Sequence, residues 1–222
     1  MDAEATRDKT TEQRLVEAAC KLFSKKGFHE ATVSEICEEA DANVAAVNYY
    51  FRSKDNLYVE AWRQAFARGL TAHPPDGGVP PTAPAAERLA GRIRAVIGRI
   101  CDPVSYEFDM IHHEQAHPTG LLAEITREAI EPLRREMLAV VGELLGPAVP
   151  EKTVRLCAVS IMAQCFHMLV HKRSRSHASG ARRPGPDLEF DADEIACHIT
   201  QFSLAAIREL RCDAGDEDGH AT

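Results

Sequence analysis

The sequence predicts an all-α fold of about nine helices. Apolar residues recur every three or four positions along most of the 222-residue chain, as they do in amphipathic helices. Capping residues, glycines and prolines divide this pattern into separate segments. Apolar residues make up 45% of the chain and aromatic residues only 6%, a composition that favours an aliphatic helical core over a β-sandwich. We therefore expect no strands.

Thr10 and Gln13 mark the start of the first helix, because their spacing matches a capping box. Gly27 is expected to end this helix, since glycine adopts the positive φ that is common just past a helix end. The polar residues 1–9 are expected to form a disordered tail. The apolar face of the helix consists of Leu15, Ala18, Ala19, Leu22 and Phe23.

Two very short helices are expected next. Thr32 and Glu35 match a second capping box. Asp41 breaks the apolar run, and Asn43 can accept a backbone N–H to start a helix that ends by Phe51. Helices this short are not stable alone, so neighbouring helices must brace them. Their spacing is typical of a helix-turn-helix, whose second helix reads the major groove of DNA.

The same segment carries a wider set of residues at fixed spacing. They are Gly27-Phe28, Ala31-Thr32-Val33, Ile36, Ala40, Asn43, Tyr50-Phe51 and Ser53-Lys54. Together they resemble the TetR family of transcriptional regulators. The chain departs from the commoner family pattern in two places. In the turn, the usual Gly-Val-Ser is Asp41-Ala42-Asn43, and the Gly two residues further on is Ala45. In the recognition helix, the usual Tyr is Asn48. The operator sequence is therefore not transferable from relatives.

The resemblance implies two domains and a mode of action. Residues 10–56 are expected to form a helix-turn-helix DNA-binding domain, and residues 57–212 a helical domain for ligand binding and dimerisation. We expect a transcriptional repressor that leaves a palindromic operator when a small-molecule effector binds. Activation of transcription stays open as an alternative to repression, because the effect on transcription depends on where the operator lies relative to the promoter. No enzyme activity, cofactor or membrane association is expected, and the location should be cytoplasmic.

A set of DNA-contacting residues follows from the motif. Asn48 can pair with adenine, and Lys54 lies at a helix start where positive charge favours phosphate. Tyr49 either donates its hydroxyl to a phosphate or merely covers an apolar patch. The predicted DNA-binding set is Thr32, Val33, Ser34, Asn43, Val44, Ala45, Ala46, Asn48, Tyr49 and Lys54. The predicted core anchors of the same helix are Val47, Tyr50 and Phe51.

The charge of the chain is unusual for a protein that binds DNA. The net charge is −8, and residues 1–60 contain 8 Lys or Arg against 12 Asp or Glu. Neutralisation of phosphates supplies much of the affinity for DNA. Binding is therefore expected to depend on local positive groups, namely Lys25, Lys26, Arg52 and Lys54.

The central helices are bounded by prolines. A fourth helix should run from Lys54 to about Ala72, and the Pro- and Gly-rich segment 73–81 is the clearest boundary in the sequence. Pro103 ends a fifth helix, and a short sixth covers about 106–116. A seventh is expected over about 120–145. Its internal proline, Pro132, predicts a kink or a break.

Two long helices near the C-terminus, about 151–172 and 191–211, carry apolar stripes, and Asp191 can cap the second of them. The resemblance implies that they meet the same pair of a second copy in a homodimer. The basic residues 173–187 between them are expected to form a surface loop, and residues 213–222 a disordered tail. On the first helix, Val154, Cys157, Ile161, Met162, Cys165, Phe166 and Leu169 should face inward. On the second, Ile195, Ile199, Phe202, Ala206 and Ile207 should do so.

The effector site is expected near the seventh helix. Glu114 lies shortly before a helix start at Pro118-Thr119. This arrangement resembles a subgroup of the TetR family that carries a Glu before a Pro-Thr helix start. Each candidate also fits an ordinary core position. The candidate ligand residues are Phe108, His112, Glu114, Leu121, Leu122, Ile125, Met162 and Phe166, with Met168 beside them.

Two alternatives stay open. The pairs His113/His117 and His167/His171 stand four residues apart, so each can place two imidazoles on one helix face, and a metal-sensing regulator would use such pairs. A helical-bundle enzyme is the second alternative, although no catalytic motif supports it. The seven cysteines form no C-x-x-C pair, and we expect most of them to be buried reduced thiols.

Overall fold

The computed structural model describes residues 10–176 and 191–218, with side chains for 10–167 and 191–212. Within these ranges the chain forms nine α-helices and no strand, so the all-α prediction is confirmed. None of the described helices has the length and apolar character needed to cross a bilayer. The helices are α1 Thr11–Glu30, α2 Val33–Glu39, α3 Val44–Tyr50, α4 Lys54–Ala72, α5 Ala85–Cys101, α6 Glu107–Ala116, α7 Ala123–Leu145, α8 Glu151–Ser176 and α9 Ala192–Asp218.

Side-chain caps start the helices where the sequence predicts them. Thr10 accepts a hydrogen bond from the backbone N–H of Gln13, and the Gln13 side chain accepts one from the N–H of Thr10. Asp191 and Glu194 make the same reciprocal pair before α9, at 2.7 and 3.0 Å. Each pair satisfies backbone donors that have no partner inside the helix. Local sequence therefore determines these helix starts.

Gly27 takes the positive φ that its position predicts. Its φ is 75° and its ψ is 176°, so the helix geometry is interrupted there, although helical bonding resumes as far as Glu30. A Cβ at this position would lie 3.1 Å from Nδ1 of His113 on α6. Glycine is thus required both by the backbone and by the close approach of α6.

The chain divides into two compact units. The first takes in the described residues up to Gly69 together with Pro103–Ala129. Its core centres on aromatic rings: Phe23 meets Tyr58 edge-on at 4.8 Å, and Trp62 stacks on Phe66 at 5.0 Å. Helix α1 packs against α2, α3 and α6. The short pair α2–α3 therefore has the bracing that its length requires.

The second unit, Leu70–Asp102 with the described residues from Ile130 onward, has an aliphatic core. Helix α5 packs against α8 and α9. Few aromatic rings take part, as the composition predicts. The fully or almost fully buried side chains include Leu89, Ile93, Ile97, Ile100, Val140, Val141, Leu145, Ile161 and Cys165.

The units do not follow the predicted boundaries. The first continues past residue 57 to Gly69 and also includes α6, which lies far along the sequence. The Pro- and Gly-rich segment 73–81, predicted to be the clearest boundary, lies inside the second unit. Asp76 packs on α5 there, with its carbonyl 2.3 Å from where a Cβ of Gly91 would be. A segment rich in Pro and Gly can thus be a packed loop inside one unit, because these residues determine only the local conformation of the backbone. The functional roles given to 10–56 and 57–212 stay predictions.

One internal proline and two helix ends differ from expectation. Helix α7 runs without interruption through Pro132, so the alternative of a break is wrong, and the alternative of a kink stays a prediction. Pro132 and Glu128 are both exposed, and water can satisfy the Glu128 carbonyl that lacks its helical donor. Helix α8 continues to Ser176 and α9 to Asp218, beyond the expected starts of a loop at 173 and a tail at 213. The remaining parts of those predictions, and the predicted tail 1–9, lie outside the described residues.

Some predicted inward positions are exposed. Phe166 on α8 is 42% exposed, and Phe202 on α9 is 59% exposed. Both lie to one side of the buried stripe of their helix, where Ile161 and Ile199 are 2% and 4% exposed. All seven cysteines are free thiols, but only Cys20, Cys37 and Cys165 are buried. The expectation that most are buried is therefore wrong.

Two helical glycines of the second unit allow a matched stability test. A Cβ at Gly91 in α5 would lie 2.3 Å from the Asp76 carbonyl oxygen, whereas one at Gly142 in α7 would meet only Val154, at 3.7 Å. We expect Gly91→Ala to destabilise the protein by about 1–3 kcal/mol through overpacking. Gly142→Ala should stabilise it by about 0.5–1 kcal/mol through helix propensity. Urea unfolding followed by circular dichroism measures both, and equal shifts of the same sign would contradict the prediction.

Candidate DNA-binding interface

A tight link connects α2 and α3. Asp41 in this link has a φ of 48°, and the N–H of Ala42 donates to the carbonyl of Cys37 at 2.9 Å, which closes α2. The Asn43 side chain then accepts the N–H of Ala45 at 2.9 Å and starts α3. The predicted cap is confirmed. A seven-residue helix after so short a link has the spacing of a helix-turn-helix.

Two buried side chains hold α3 on its scaffold. Val47 is 1% exposed and Phe51 is 6% exposed, as predicted for core anchors. The Asn56 amide donates to the Phe51 carbonyl at 2.9 Å, and the Ser53 hydroxyl accepts the N–H of Asn56 at 3.2 Å. The end of α3 is thereby tied to the start of α4, so its orientation is determined by packing at both ends.

The opposite side of α3 is open to solvent. Tyr49 is 79% exposed and Val44 is 46% exposed, and Asn48 is also exposed. Tyr50 is 41% exposed and meets the Tyr49 ring edge-on at 4.9 Å, so its prediction as a core anchor is wrong. Because Val47 and Phe51 lie one turn apart, they occupy the core side, and Tyr50 falls beside it. The exposed side of α3 therefore carries two tyrosines.

Lys54 lies where α4 begins. Its Nζ is 4.3 Å from the centroid of the Phe28 ring, a cation–π arrangement. Burial lowers the pKa of Lys54, and the charge of Asp55 opposes this change. The side chain is half-buried, so its position is set by the aromatic ring beneath it.

The ten predicted DNA-binding residues all lie in the first unit. They occupy the start of α2, the link, α3 and the start of α4. Val33, Ala46 and Lys54 are half-buried, and the other seven are exposed. The first unit thus presents most of the set to solvent, and its contact with DNA stays a prediction.

Glu35 connects the start of α2 to α1. Its carboxylate accepts from Lys26 Nζ at 2.6 Å and from the N–H and hydroxyl of Thr32 at 3.0 and 3.1 Å. Thr32 in turn accepts the N–H of Glu35 at 3.2 Å, which completes the predicted capping box. These bonds, that of Lys26 first, lower the pKa of Glu35 to about 2.

The low pKa of Glu35 predicts how stability varies with pH. A carboxylate whose folded pKa lies below its ordinary 4.5 stabilises the fold fully above pH 4.5, and loses this effect as the pH falls toward about 2. Glu35→Gln keeps a capping side chain but removes the charge. We expect the variant to melt below the wild type at neutral pH, with a difference that shrinks by about pH 3. A difference in melting temperature that is independent of pH would contradict this prediction.

The predicted ligand residues are divided between the two units. Met162 and Phe166 belong to the second unit, and the other six belong to the first. The described part of the chain includes an open surface pocket of about 400 Å³ in the first unit and one of about 440 Å³ in the second. None of the predicted ligand residues lines either pocket. The set therefore stays a prediction.

Glu114 has a structural role in the first unit. Its carboxylate accepts from the backbone N–H groups of Thr119 and Gly120 at 2.9 and 2.8 Å, and from the Thr119 hydroxyl at 2.9 Å. The Tyr58 hydroxyl donates to it at 3.4 Å. Burial raises the pKa of Tyr58, and the Glu114 charge adds to this rise. The Glu before Pro-Thr thus holds the turn between α6 and α7.

The described residues place no third metal ligand beside the pair His113/His117. No group of three or more His, Cys, Asp or Glu side chains in that part of the chain is arranged to hold a metal ion. His113 lies 3.1 Å from the Ser24 carbonyl through Nε2, and His117 is exposed. The side chain of His171 lies outside the described range, so its pairing with His167 stays a prediction.

Two family models match the chain. The model of bacterial regulatory proteins of the tetR family covers residues 15–61, and the C-terminal domain of the HTH-type transcriptional dual regulator CecR covers residues 85–207. The second match includes more than half of the chain. CecR of Shigella flexneri is 29% identical over 147 residues, which are 60% of this chain and 64% of that protein. The probable regulator YttP of Bacillus subtilis is 44% identical over 48 residues, 22% of this chain and 23% of that protein.

Solved structures share the fold. A TetR-like transcriptional regulator from Rhodococcus sp. RHA1 has a TM-score of 0.69 at 17% identity, covering 91% of this chain and 99% of that chain. The regulator FadR from Bacillus subtilis, in complex with stearoyl-CoA, has a TM-score of 0.66 at 14% identity, covering 86% and 97%.

The chain spans less than two thirds of the length of these two curated relatives. The two family models nevertheless cover both the helix-turn-helix and most of the helices after it. Proteins of this kind are regulators that bind DNA, not enzymes. The chain therefore belongs to the TetR family of DNA-binding transcriptional regulators, and its C-terminal domain is of the CecR type.

Proposed function

We propose that this regulator is a homodimeric repressor that binds a palindromic operator and leaves it when a small molecule binds its C-terminal domain. The observation that carries the proposal is α3, which is anchored by Val47 and Phe51 and exposes its opposite side. A helix about 10–12 Å across fits the major groove, which is about 12 Å wide.

The exposed side of α3 combines groups for bases and groups for the backbone. Asn48 can bond the edge of adenine, and Val44 and Ala45 offer apolar contacts to a thymine methyl. Tyr49 has a hydroxyl that can donate to phosphate. Thr32 and Lys54, at the starts of α2 and α4, supply further backbone contacts. Base readout by so few side chains covers only a few base pairs.

A second copy of the chain would provide the second half-site. Leu156 and Val159 on α8 are 57% and 65% exposed, and Phe166 continues the same side of the helix at 42%. Phe202 on α9 is 59% exposed. Exposed apolar side chains at helical spacing favour burial against another protein surface. A two-fold dimer through these helices matches the two-fold symmetry of a palindrome, with half-sites about 34 Å apart or multiples of that distance.

The effector is proposed to be a small molecule. Support comes from FadR, a protein of the same fold, whose structure contains stearoyl-CoA. At 14% identity this likeness supports the architecture and assigns no particular ligand. An effector that prefers the released conformation by about 5.5 kcal/mol would move the population from 1:99 to 99:1.

Selection from random duplex DNA tests the proposal. We expect the purified full chain to enrich an inverted repeat, and light scattering of the complex to give two chains per duplex. Asn48→Ala is a matched variant, because an exposed side chain can be truncated without loss of fold, and it should relax the preference at one position of each half-site. Enrichment of sequences without two-fold symmetry, or a single chain per duplex, would overturn the proposal.

A further inference from the structure

Arg52 lies two residues past the end of α3 and adopts a conformation that suits glycine. Its φ is 70°, in the left-handed region, where a Cβ crowds the following carbonyl. Its N–H donates to the Val47 carbonyl at 3.2 Å, so the residue closes the C-terminal end of α3. Glycine is the usual residue at such a closing position. An arginine there lowers the stability of the fold.

Several basic groups near the helix-turn-helix are already engaged in ion pairs. Lys26 donates to Glu35 and Lys21 donates to Glu39 at 2.5 Å, whereas Lys54 lies over the Phe28 ring, where it is also proposed to contact phosphate. Helix α3 itself contains no basic residue. The whole chain carries a net charge of −8, which repels phosphate. Binding to DNA must overcome this repulsion with the few cations that remain.

Arg52 is such a cation. Its side chain is exposed, and this side chain makes no hydrogen bond or ion pair within the described part of the chain. Lys25 on α1 is also exposed, but its backbone is helical, so nothing about its conformation calls for explanation. Arg52 differs because its backbone has a positive φ, which arginine disfavours. A strained residue beside an exposed recognition surface is a sign of function.

We infer that Arg52 is a phosphate-contacting residue that positions α3 on duplex DNA, and that this contact is gained at the expense of fold stability. The inference rests on the proposed insertion of α3 into the major groove. A guanidinium can bond two phosphate oxygens at once, which fixes orientation as well as adding attraction. Since phosphate carries no sequence information, Arg52 raises affinity for the operator and for unrelated duplex alike.

Arg52→Gly should therefore have two effects of opposite sign. Relief of the positive φ should raise the melting temperature by about 2–4 °C, given the size of the chain. Loss of the contact should weaken binding about tenfold or more at about 0.1 M salt, for operator and unrelated duplex equally. The slope of log affinity against log salt should fall by about one for each protomer.

Two variants separate charge from conformation. Asp41 is the other non-glycine residue with positive φ in the described chain, at 48°, and its carboxylate is fully exposed. Asp41→Gly should raise the melting temperature by less, because aspartate tolerates this region better, and should leave DNA affinity undiminished. Arg52→Lys keeps the charge and the strain, so it should keep the wild-type melting temperature and salt slope, and lose only the part of the affinity that depends on bonding two phosphate oxygens at once.

Fluorescence anisotropy at several salt concentrations and thermal unfolding provide the measurements. Unchanged affinity or an unchanged salt slope in Arg52→Gly would overturn the inference, and so would an equal loss of affinity in Asp41→Gly. A drop in melting temperature in Arg52→Gly would overturn the part concerning stability. If the wild type selects no palindrome, the proposed function fails. If it does and Arg52→Gly behaves identically, only this inference fails.

Discussion

The Phe23→Ala variant is expected to unfold at a much lower urea concentration than the wild type. Phe23 is fully buried, with its ring 4.8 Å from Tyr58 and 6.2 Å from Phe28. Truncation of a buried phenylalanine costs about 3–5 kcal/mol, a large part of a total stability of about 5–15 kcal/mol. Because α1 packs against both α2 and α3, operator binding should fall with the folded fraction.

Tyr49→Ala is the matched control for this prediction. Tyr49 is 79% exposed, so its truncation should leave the urea midpoint within experimental error of the wild type. Its operator affinity should nevertheless fall, through loss of a phosphate contact. Circular dichroism in urea and operator binding by anisotropy separate the two variants. A Phe23→Ala protein with the wild-type midpoint would contradict the packing described for the first unit.

The features predicted correctly from the sequence are those determined by neighbouring residues. The caps at Thr10, Thr32, Asn43 and Asp191 depend on side chains that bond backbone groups two or three positions away. Such contacts are visible in the order of residues alone. The same holds for the start of α4, where Ser53 accepts a hydrogen bond from Asn56.

The errors concern side chains and segments whose environment is set by distant parts of the chain. Tyr50 looks like a core residue by type, but Val47 and Phe51 already fill the core side of α3. Pro132 looks like a helix breaker, but an exposed carbonyl one turn earlier can bond water. Segment 73–81 looks like a linker, but its packing on Gly91 depends on a helix that begins later in the sequence.

The unit boundary is the largest difference. Helix α6 is separated from α1 by more than seventy residues in the sequence, yet the two helices pack together in the first unit. Its amphipathic pattern predicts a helix and says nothing about its partner. The conformation of Arg52 is equally hidden, because arginine rarely adopts a positive φ and no sequence pattern announces it.

The Val159→Glu variant is expected to be monomeric and to lose most of its operator affinity. Val159 is 65% exposed on the side of α8 that also carries Leu156 and Phe166. In the proposed dimer, a carboxylate there would be removed from water without a partner, in both copies, at a cost of several kcal/mol. A weaker dimer leaves each chain to bind one half-site alone, so affinity should fall by about 10²–10³-fold or more.

Ala139→Glu controls for the added charge, because Ala139 is an exposed position on α7 of the same unit. The dissociation constant of its dimer and its affinity for the operator should both equal those of the wild type. Sedimentation velocity over a range of concentrations gives the dissociation constant of the dimer, and anisotropy gives the operator affinity. If Val159→Glu remained dimeric while keeping its fold, the exposed side of α8 would not be the dimer interface. If it became monomeric but still bound the full operator tightly, two-fold symmetry would not be the source of affinity, and α3 would have to read its site alone.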